Sequence, residues 1–147
     1  MHSGVPELSV AIEELVRFFR RLGPATGLSL TAVATLSSLE RNGPARLTEL
    51  ATQQLVTQPA MTQLVTRLED AGLAQRRPDP DDGRVVGVHI TDTGRAELNR
   101  RRTVRTDRLG VLFDQLSPAD QAALVAALPA ISALTHLAAQ PQEGATV

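Results

Sequence analysis

A chain of 147 residues is long enough for one domain with a true core and short for two independent ones. Its net charge of −1 and pI near 6.3 exclude an overall basic field that would hold a polyanion or an anionic membrane, so any nucleic-acid surface has to be local. The lack of cysteine excludes disulfides, thiolate metal sites, a cysteine nucleophile and thiol redox sensing, and fits a reducing compartment.

The first residues, MHSGVPELSVAIEELVRFF, have neither the charged start nor the unbroken apolar core of a signal peptide. No apolar run approaches membrane-spanning length, and the expectation is a soluble, cytoplasmic protein without a membrane partner. From Pro6 to about Leu22, the residues Leu8, Ile12, Leu15, Phe19 and Leu22 form a helical stripe that Gly23-Pro24 ends. Ala11 and Phe18 widen it, so this helix is either a dimer interface buried on two sides or a central helix of the monomer.

A second helix is predicted from the Ser29 N-cap to Asn42-Gly43-Pro44, with Val33, Leu36 and Leu39 inward. A shorter third covers about Leu47 to Leu55. In LVTQPAMTQLVTRLEDAGL, Met61, Leu64, Val65 and Leu68 make one apolar face and Gly72 supplies the stop. Two short helices joined by a few residues, with Leu55 and Val56 buried at the corner, are a helix-turn-helix. The start of the second has two readings. Thr57 caps it with Pro59 in the first turn, or Gln58 caps it with Pro59 as the first helical residue; the restriction on a residue before proline favours Gln58.

Residues 73–77 read as a strand, and Val86, Val88 and Ile90 alternate with Val85, Gly87 and His89 as a second. The acidic segment between them, with Pro78, Pro80 and Gly83, is turn chemistry. A β-hairpin directly after a helix-turn-helix makes a winged helix. Thr91 then caps a long helix over about 92–116, whose stretch NRRRTVRTDR has one apolar residue in ten and reads as a projecting arm. Within it Glu97 can pair with Arg100 or Arg101. Ser117-Pro118 opens a last helix with Leu124, Val125, Leu128 and Ile131 inward, which Pro129 should kink or interrupt. The tail from Pro141 reads as disordered.

The segment DDGRVVGVHITDTG resembles the wing of the MarR (multiple-antibiotic-resistance regulator) family, an Asp-any-Arg, a short strand, Leu/Ile-Thr, two residues and Gly. Asp82, Arg84, Ile90, Thr91 and Gly94 fill those places, and MTQLVTRLEDAGLAQRRPDPDD resembles the recognition helix and first wing strand in register. The likeness covers about residues 7–139. It implies a mainly α protein with a small β-hairpin (α+β). Residues 29–94 would form a winged helix-turn-helix for double-stranded DNA, and residues 1–28 and 95–147 a helical dimerisation region. It implies a homodimer on a pseudo-palindromic operator and a ligand-responsive regulator, more often a repressor. The ligands would be small aromatic or lipophilic effectors seated between the two regions. Gly83 and Gln63 stand where family members often carry arginine, which implies fewer phosphate contacts.

The candidate DNA contacts lie in the recognition helix (57–71) and the wing (76–86). Gln58 and Gln63 carry amides that can bond bidentately to adenine in the major groove, worth ~1–3 kcal/mol of discrimination. Thr57 and Thr62 suit phosphates at the positive end of the helix dipole, and Pro59 lies among them. Arg67 is placed for a phosphate or for a pair with Glu69 or Asp70. Arg84 is the minor-groove probe, with Asp82 bonding Arg84 or Arg76 as its brace, and Arg76 and Arg77 reach for backbone phosphates. The six arginines from Arg95 to Arg108 read as a solvated arm or as dimer-lobe salt bridges rather than a second DNA surface.

Nothing points to an enzyme, a cofactor or a metal. His2, His89 and His136 lack ligand spacing, and no glycine-rich phosphate loop follows a strand. With no Tyr or Trp, Phe18, Phe19 and Phe113 are the few candidates for stacking on a ligand; Phe18 and Phe19 read as core or dimer packing, and no effector pocket is assigned. The rival from another class is a winged-helix interaction or dimerisation module with weak or no specific DNA binding.

Overall fold

The computed structural model describes residues 4–24 and 27–139; His2 and the tail from Pro141 lie outside them. The order is α1 (Val5–Leu22), α2 (Leu30–Asn42), α3 (Leu47–Gln53), α4 (Gln58–Asp70), β1 (Ala74–Pro78), β2 (Val86–Ile90), α5 (Asp92–Phe113) and α6 (Pro118–Ala139). The chain divides into two compact units, Met1–Asp107 and Arg108–Val147.

The core of the first unit is built from α2, α3, α4, the hairpin and the start of α5. Leu36, Leu39, Leu50, Met61, Leu64, Val65, Leu68, Leu73, Val88, Ile90 and Leu98 are buried together, with Val33 and Val56 packed against them. Each helical residue in that set belongs to a 3.6-residue stripe, because burial of one stripe is what pays the entropy of ordering an amphipathic helix. Ser29 caps α2 by accepting from the Ala32 N–H at 3.1 Å. Ser38, itself buried, donates to Gln53 Oε1 at 2.8 Å and accepts from Asn42 Nδ2 at 3.2 Å, which ties α2 to α3.

Two expectations at the helix-turn-helix corner are corrected. Leu55 is not buried; it is 93% exposed, with φ 54°. The Val56 N–H donates to the Ala51 carbonyl at 3.0 Å and that of Leu55 to Thr52 at 3.2 Å. This paired cap needs a left-handed residue just past the helix end, so α3 stops two residues early and the Leu55 side chain turns outward. Gly43 (φ 85°) and Gly72 (φ 71°) hold positive φ after α2 and α4 without a Cβ penalty, whereas a left-handed leucine costs roughly 1–2 kcal/mol. The second correction concerns the start of α4. Thr57 is the cap, accepting from the Ala60 N–H at 3.3 Å, and Gln58 is already helical. A cap hydroxyl that satisfies a free N–H outweighs the restriction that Pro59 places on Gln58.

β1 and β2 pair antiparallel with Ala74 opposite Ile90, Arg76 opposite Val88 and Pro78 opposite Val86. Ala45 bridges Val88 on its other side, with bonds of 2.8 and 3.2 Å. At the base of the hairpin, Thr91 Oγ1 accepts from the Gly94 N–H at 3.0 Å and donates to the Gly72 carbonyl at 2.6 Å, joining the start of α5 to the end of α4. Gly94 is required there by space, since a Cβ would overlap the Leu73 carbonyl and stand 2.8 Å from Ile90 Cγ1.

The first half of α5 is not a projecting arm. Leu98 is buried, and Arg101, at 6% exposed, donates to the Leu28 carbonyl at 3.3 Å and to Glu97 at 3.4 Å. Arg102 reaches Glu40 of α2 at 2.6 Å, and the Arg105 guanidinium lies 4.0 Å from the centre of the Phe19 ring on α1. The charged stretch packs because each guanidinium finds an acceptor or an aromatic face while its methylenes cover apolar surface. Arg100 holds the Glu97 carboxyl below the usual carboxylate range through two 2.8 Å bonds, and Arg102 does the same for Glu40. Burial first, then the charges of Arg101 and Arg102, lowers the pKa of Arg105.

The stripe of α1 faces outward: Leu8, Ile12, Leu15 and Phe19 are exposed, Phe18 is half-buried, and only Leu22 of the helix is buried. In the second unit, the expected inward face of α6 is also open, with Leu124, Val125, Leu128 and Ile131 each at least half exposed. Within each unit these positions stand open among the described residues. Pro129 does not interrupt α6, which runs unbroken through it. Pro118–Ala138 is moreover one helix long and apolar enough to cross a membrane, with mean hydropathy 1.5. The sequence reading missed this because Gln121, Ser132 and Thr135 break the apolar run while alanine keeps the mean high.

Gly94→Ala is expected to cost about 1–3 kcal/mol, read as a lower urea midpoint, because backbone has to move to admit the methyl. Glu40→Gln should destabilise the protein at neutral pH. The folded pKa of Glu40 is depressed, so its contribution is complete above the unfolded value of about 4.3 and vanishes as pH falls through the folded one. Urea titrations of wild type and variant should therefore converge in acid; a gap independent of pH would dismiss the Arg102 pairing as its source.

Candidate nucleic-acid interface

The buried face of α4 leaves Gln58, Pro59, Thr62, Gln63 and Arg67 exposed on the opposite side, with Thr57 at the helix start. Gln58 and Thr62 lie one turn apart, as do Pro59 and Gln63, so two amides and two hydroxyls share the N-terminal end. The positive dipole of that end favours anions, while Pro59 has no N–H, Ala60 N–H is taken by the Thr57 hydroxyl and Met61 N–H by the Thr57 carbonyl. The hydroxyls are not equivalent. Thr57 uses a lone pair as the cap, whereas Thr62 Oγ1 donates to the Gln58 carbonyl at 2.9 Å and Thr66 Oγ1 to that of Thr62 at 3.0 Å. A phosphate contact from Thr62 therefore requires its proton to swing away from Gln58.

Arg67 Nε reaches back to the Gln63 carbonyl at 3.4 Å, not to Glu69. Glu69 serves Arg76 instead. Its carboxylate accepts the Arg76 backbone N–H at 2.7 Å and bonds the Arg76 guanidinium, whose Nη2 also lies 3.3 Å from both the Thr62 carbonyl and Thr66 Oγ1. Arg76 is thus a strut between the first wing strand and the recognition helix, only 27% exposed. Sequence reasoning placed it on phosphates and missed Glu69; the one available signal was that Glu69 is an acid near the end of the helix leading into an arginine-bearing strand.

Neighbouring strand residues point to opposite faces, so Arg77 stands on the outer face with its partner Gly87. There it lines a shallow hollow of about 430 Å³ with Pro44, Arg46, Glu49, Asp79 and His89. Gly87 leaves that space open, as an added Cβ would come no nearer than 3.6 Å to His89.

The wing tip is a hydrogen-bonded turn. The Asp79 N–H donates to the Val85 carbonyl at 2.7 Å, and Asp79 Oδ1 accepts from Asp81 and Asp82 N–H at 2.8 and 3.3 Å. Asp82 Oδ1 accepts from the Arg84 backbone N–H at 3.1 Å and from Arg84 Nε at 3.3 Å. Of the two arginines open to Asp82, it takes Arg84. The Arg84 side chain is nevertheless 94% exposed, so its root is held while its end faces solvent. Asp79 was missed as a scaffold, although an aspartate opening a proline- and glycine-rich turn is the signal for it. At Gly83 a Cβ would meet nothing within 4 Å, so packing does not demand glycine where a second arginine would stand. Among the described residues, no group of three or more His, Cys, Asp or Glu is placed to hold a metal ion.

Comparison with known proteins agrees with this geometry. The MarR family profile matches residues 28–86, from the start of α2 to the second wing strand. An HTH-type transcriptional regulator of Mycobacterium tuberculosis is 30% identical over 128 residues, covering 87% of this chain and 90% of the relative. The HTH-type transcriptional repressor IacR of Pseudomonas putida is 31% identical over 81 residues, 55% of this chain and 48% of that protein. The crystal structure of RV1404 from Mycobacterium tuberculosis superposes with TM-score 0.73 at 25% identity, covering 90% of this chain and 94% of that one. Matched to the MarR profile from the start of α2 to the beginning of the second wing strand, and 30% identical to a transcriptional regulator along most of its length, the chain belongs to the MarR family of transcriptional regulators.

Proposed function

We propose that this regulator is a homodimeric repressor that binds a pseudo-palindromic operator in double-stranded DNA and releases it when a small aromatic or lipophilic effector binds. Residues 29–94 are the DNA-binding region, and residues 1–28 and 95–147 the dimerisation region. The observation that carries the reading is the wing: Arg84 is 94% exposed yet anchored through Asp82, a geometry suited to a narrow minor groove. The recognition helix supports it with an exposed end of Thr57, Gln58, Pro59, Thr62 and Gln63. In this reading Gln58 and Gln63 read bases and Thr57, Thr62, Arg67 and Arg77 position the phosphates. Arg76 acts by holding the wing to the helix. The cytoplasm is the compartment where such an operator lies.

The open apolar faces of α1 and α6 support the dimer, since contiguous leucine, isoleucine and valine on long helices are covered by a partner in stable proteins. The acidic wing tip would favour an interaction module over a DNA reader if its carboxylates were unengaged. Asp79 and Asp82 instead accept backbone N–H bonds that shape the turn, which favours the DNA reading.

Binding to duplex DNA from beside its own gene, titrated against salt, tests the proposal. Arg84→Ala should weaken binding to many sequences and lower the salt slope by about one, whereas Gln63→Ala should relax base preference at one position of each half-site. An Arg84→Ala protein of unchanged affinity would sink the wing assignment. Sedimentation should give a dimer that Leu128→Arg shifts toward monomer; a wild-type monomer at micromolar concentration removes the dimer.

A further inference from the structure

We propose that Leu55 is an apolar DNA contact, packing on the deoxyribose face of the strand that passes the entry of the recognition helix; this rests on the reading of α4 as the helix that enters the groove. Among the described residues, Leu55 is the one non-glycine with positive φ, and its side chain is 93% exposed. The Schellman-type cap of α3 demands that backbone conformation, as the bonds of Val56 to Ala51 and Leu55 to Thr52 require. Glycine meets the same kind of demand after α2 and α4, at Gly43 and Gly72. Leucine at this position strains the backbone and leaves its side chain almost wholly in water. Strain kept in the folded chain without packing in return points to a use outside it.

The position suggests what that use is. Leu55 stands two residues before the Thr57 cap, so no more than about 7 Å of backbone separates it from the exposed polar end of α4. A DNA strand whose phosphates approach Thr57 and the α4 dipole runs past that corner. Leucine has no group to bond a phosphate, and because Leu55 precedes the helix start, beside the strand rather than the base edges and their thymine methyls, the C–H face of the sugar is the apolar surface it meets. Such a contact adds affinity without reading sequence and without releasing counterions.

These properties give the test its signature. Duplexes selected from a random-sequence pool by the wild-type protein are titrated with Leu55→Gly, Leu55→Asn and Leu55→Met. Glycine and asparagine accept the left-handed conformation, so both variants should unfold at an equal or higher urea concentration than wild type while binding the duplexes roughly three- to tenfold more weakly. The salt slope should stay unchanged, in contrast to Arg84→Ala, and Leu55→Met should keep near wild-type affinity. Wild-type affinity in Leu55→Gly and Leu55→Asn overturns the contact and leaves the DNA reading standing; a reduced salt slope in either also overturns its apolar nature. A wild-type protein that selects no duplex overturns the DNA reading and this contact together.

Discussion

The close approach of Gly94 to the Leu73 carbonyl, locked by the bond from Thr91 to the Gly72 carbonyl, sets the point where the recognition helix, the wing and the long α5 helix meet. α4 ends there, β1 begins there and β2 passes into α5 there. Any side chain larger than hydrogen at residue 94 would part these elements. The Thr and Gly of the motif that marks the family are thus the two sides of one joint. The Glu69–Arg76 pair adds a second tie a few residues along, so helix and wing are held to each other by a backbone contact at one end and a charged strut at the other. The two ties together preset the spacing between helix and wing.

Several of the fifteen arginines are engaged within the fold. Arg76 is paired with Glu69, Arg100 and Arg101 with Glu97, and Arg102 with Glu40. The Glu69–Arg76 pair holds the hairpin to α4 and the Glu40–Arg102 pair holds α5 to α2, whereas the two pairs with Glu97 lie within α5. Arg84 differs in that its acid, Asp82, lies within the same turn and holds it near the backbone. The acidic tip is the scaffold that shapes the turn around Arg84.

The apolar surface is divided in a similar way. α2, α3 and α4 bury their stripes within one copy of the chain, whereas α1 and α6 leave theirs open. An alanine- and leucine-rich α6 with mean hydropathy 1.5 satisfies a length-and-composition criterion for a membrane span. The same helix carries Gln121, Ser132, Thr135 and His136, and an equally open α1 carries several charged residues, a combination that suits partner helices at least as well as lipid. Arg105 on the Phe19 ring meanwhile ties α1 to α5 through a residue of that same stripe, which stays open over Leu8, Ile12 and Leu15.

What the sequence by itself determined is local: the helical stripes of α2 and α4, the Ser29 cap, the glycine stops, the two strands with their alternating valines, and the Asp-rich turn that places Asp82 against Arg84. Each depends on residues within a few positions of one another, so periodicity and turn chemistry suffice to read it. The tertiary structure decided whatever depended on which element lies alongside. Arg76 is drawn to α4 by Glu69 beside it, and Arg101, whose pairing with Glu97 is legible in the sequence, is buried because the Leu28 carbonyl of a distant segment also receives it. The face of α6 looks inward, yet it stands open among the described residues. Side-chain direction and partnership are set by packing between segments far apart in the chain, and no local pattern encodes them.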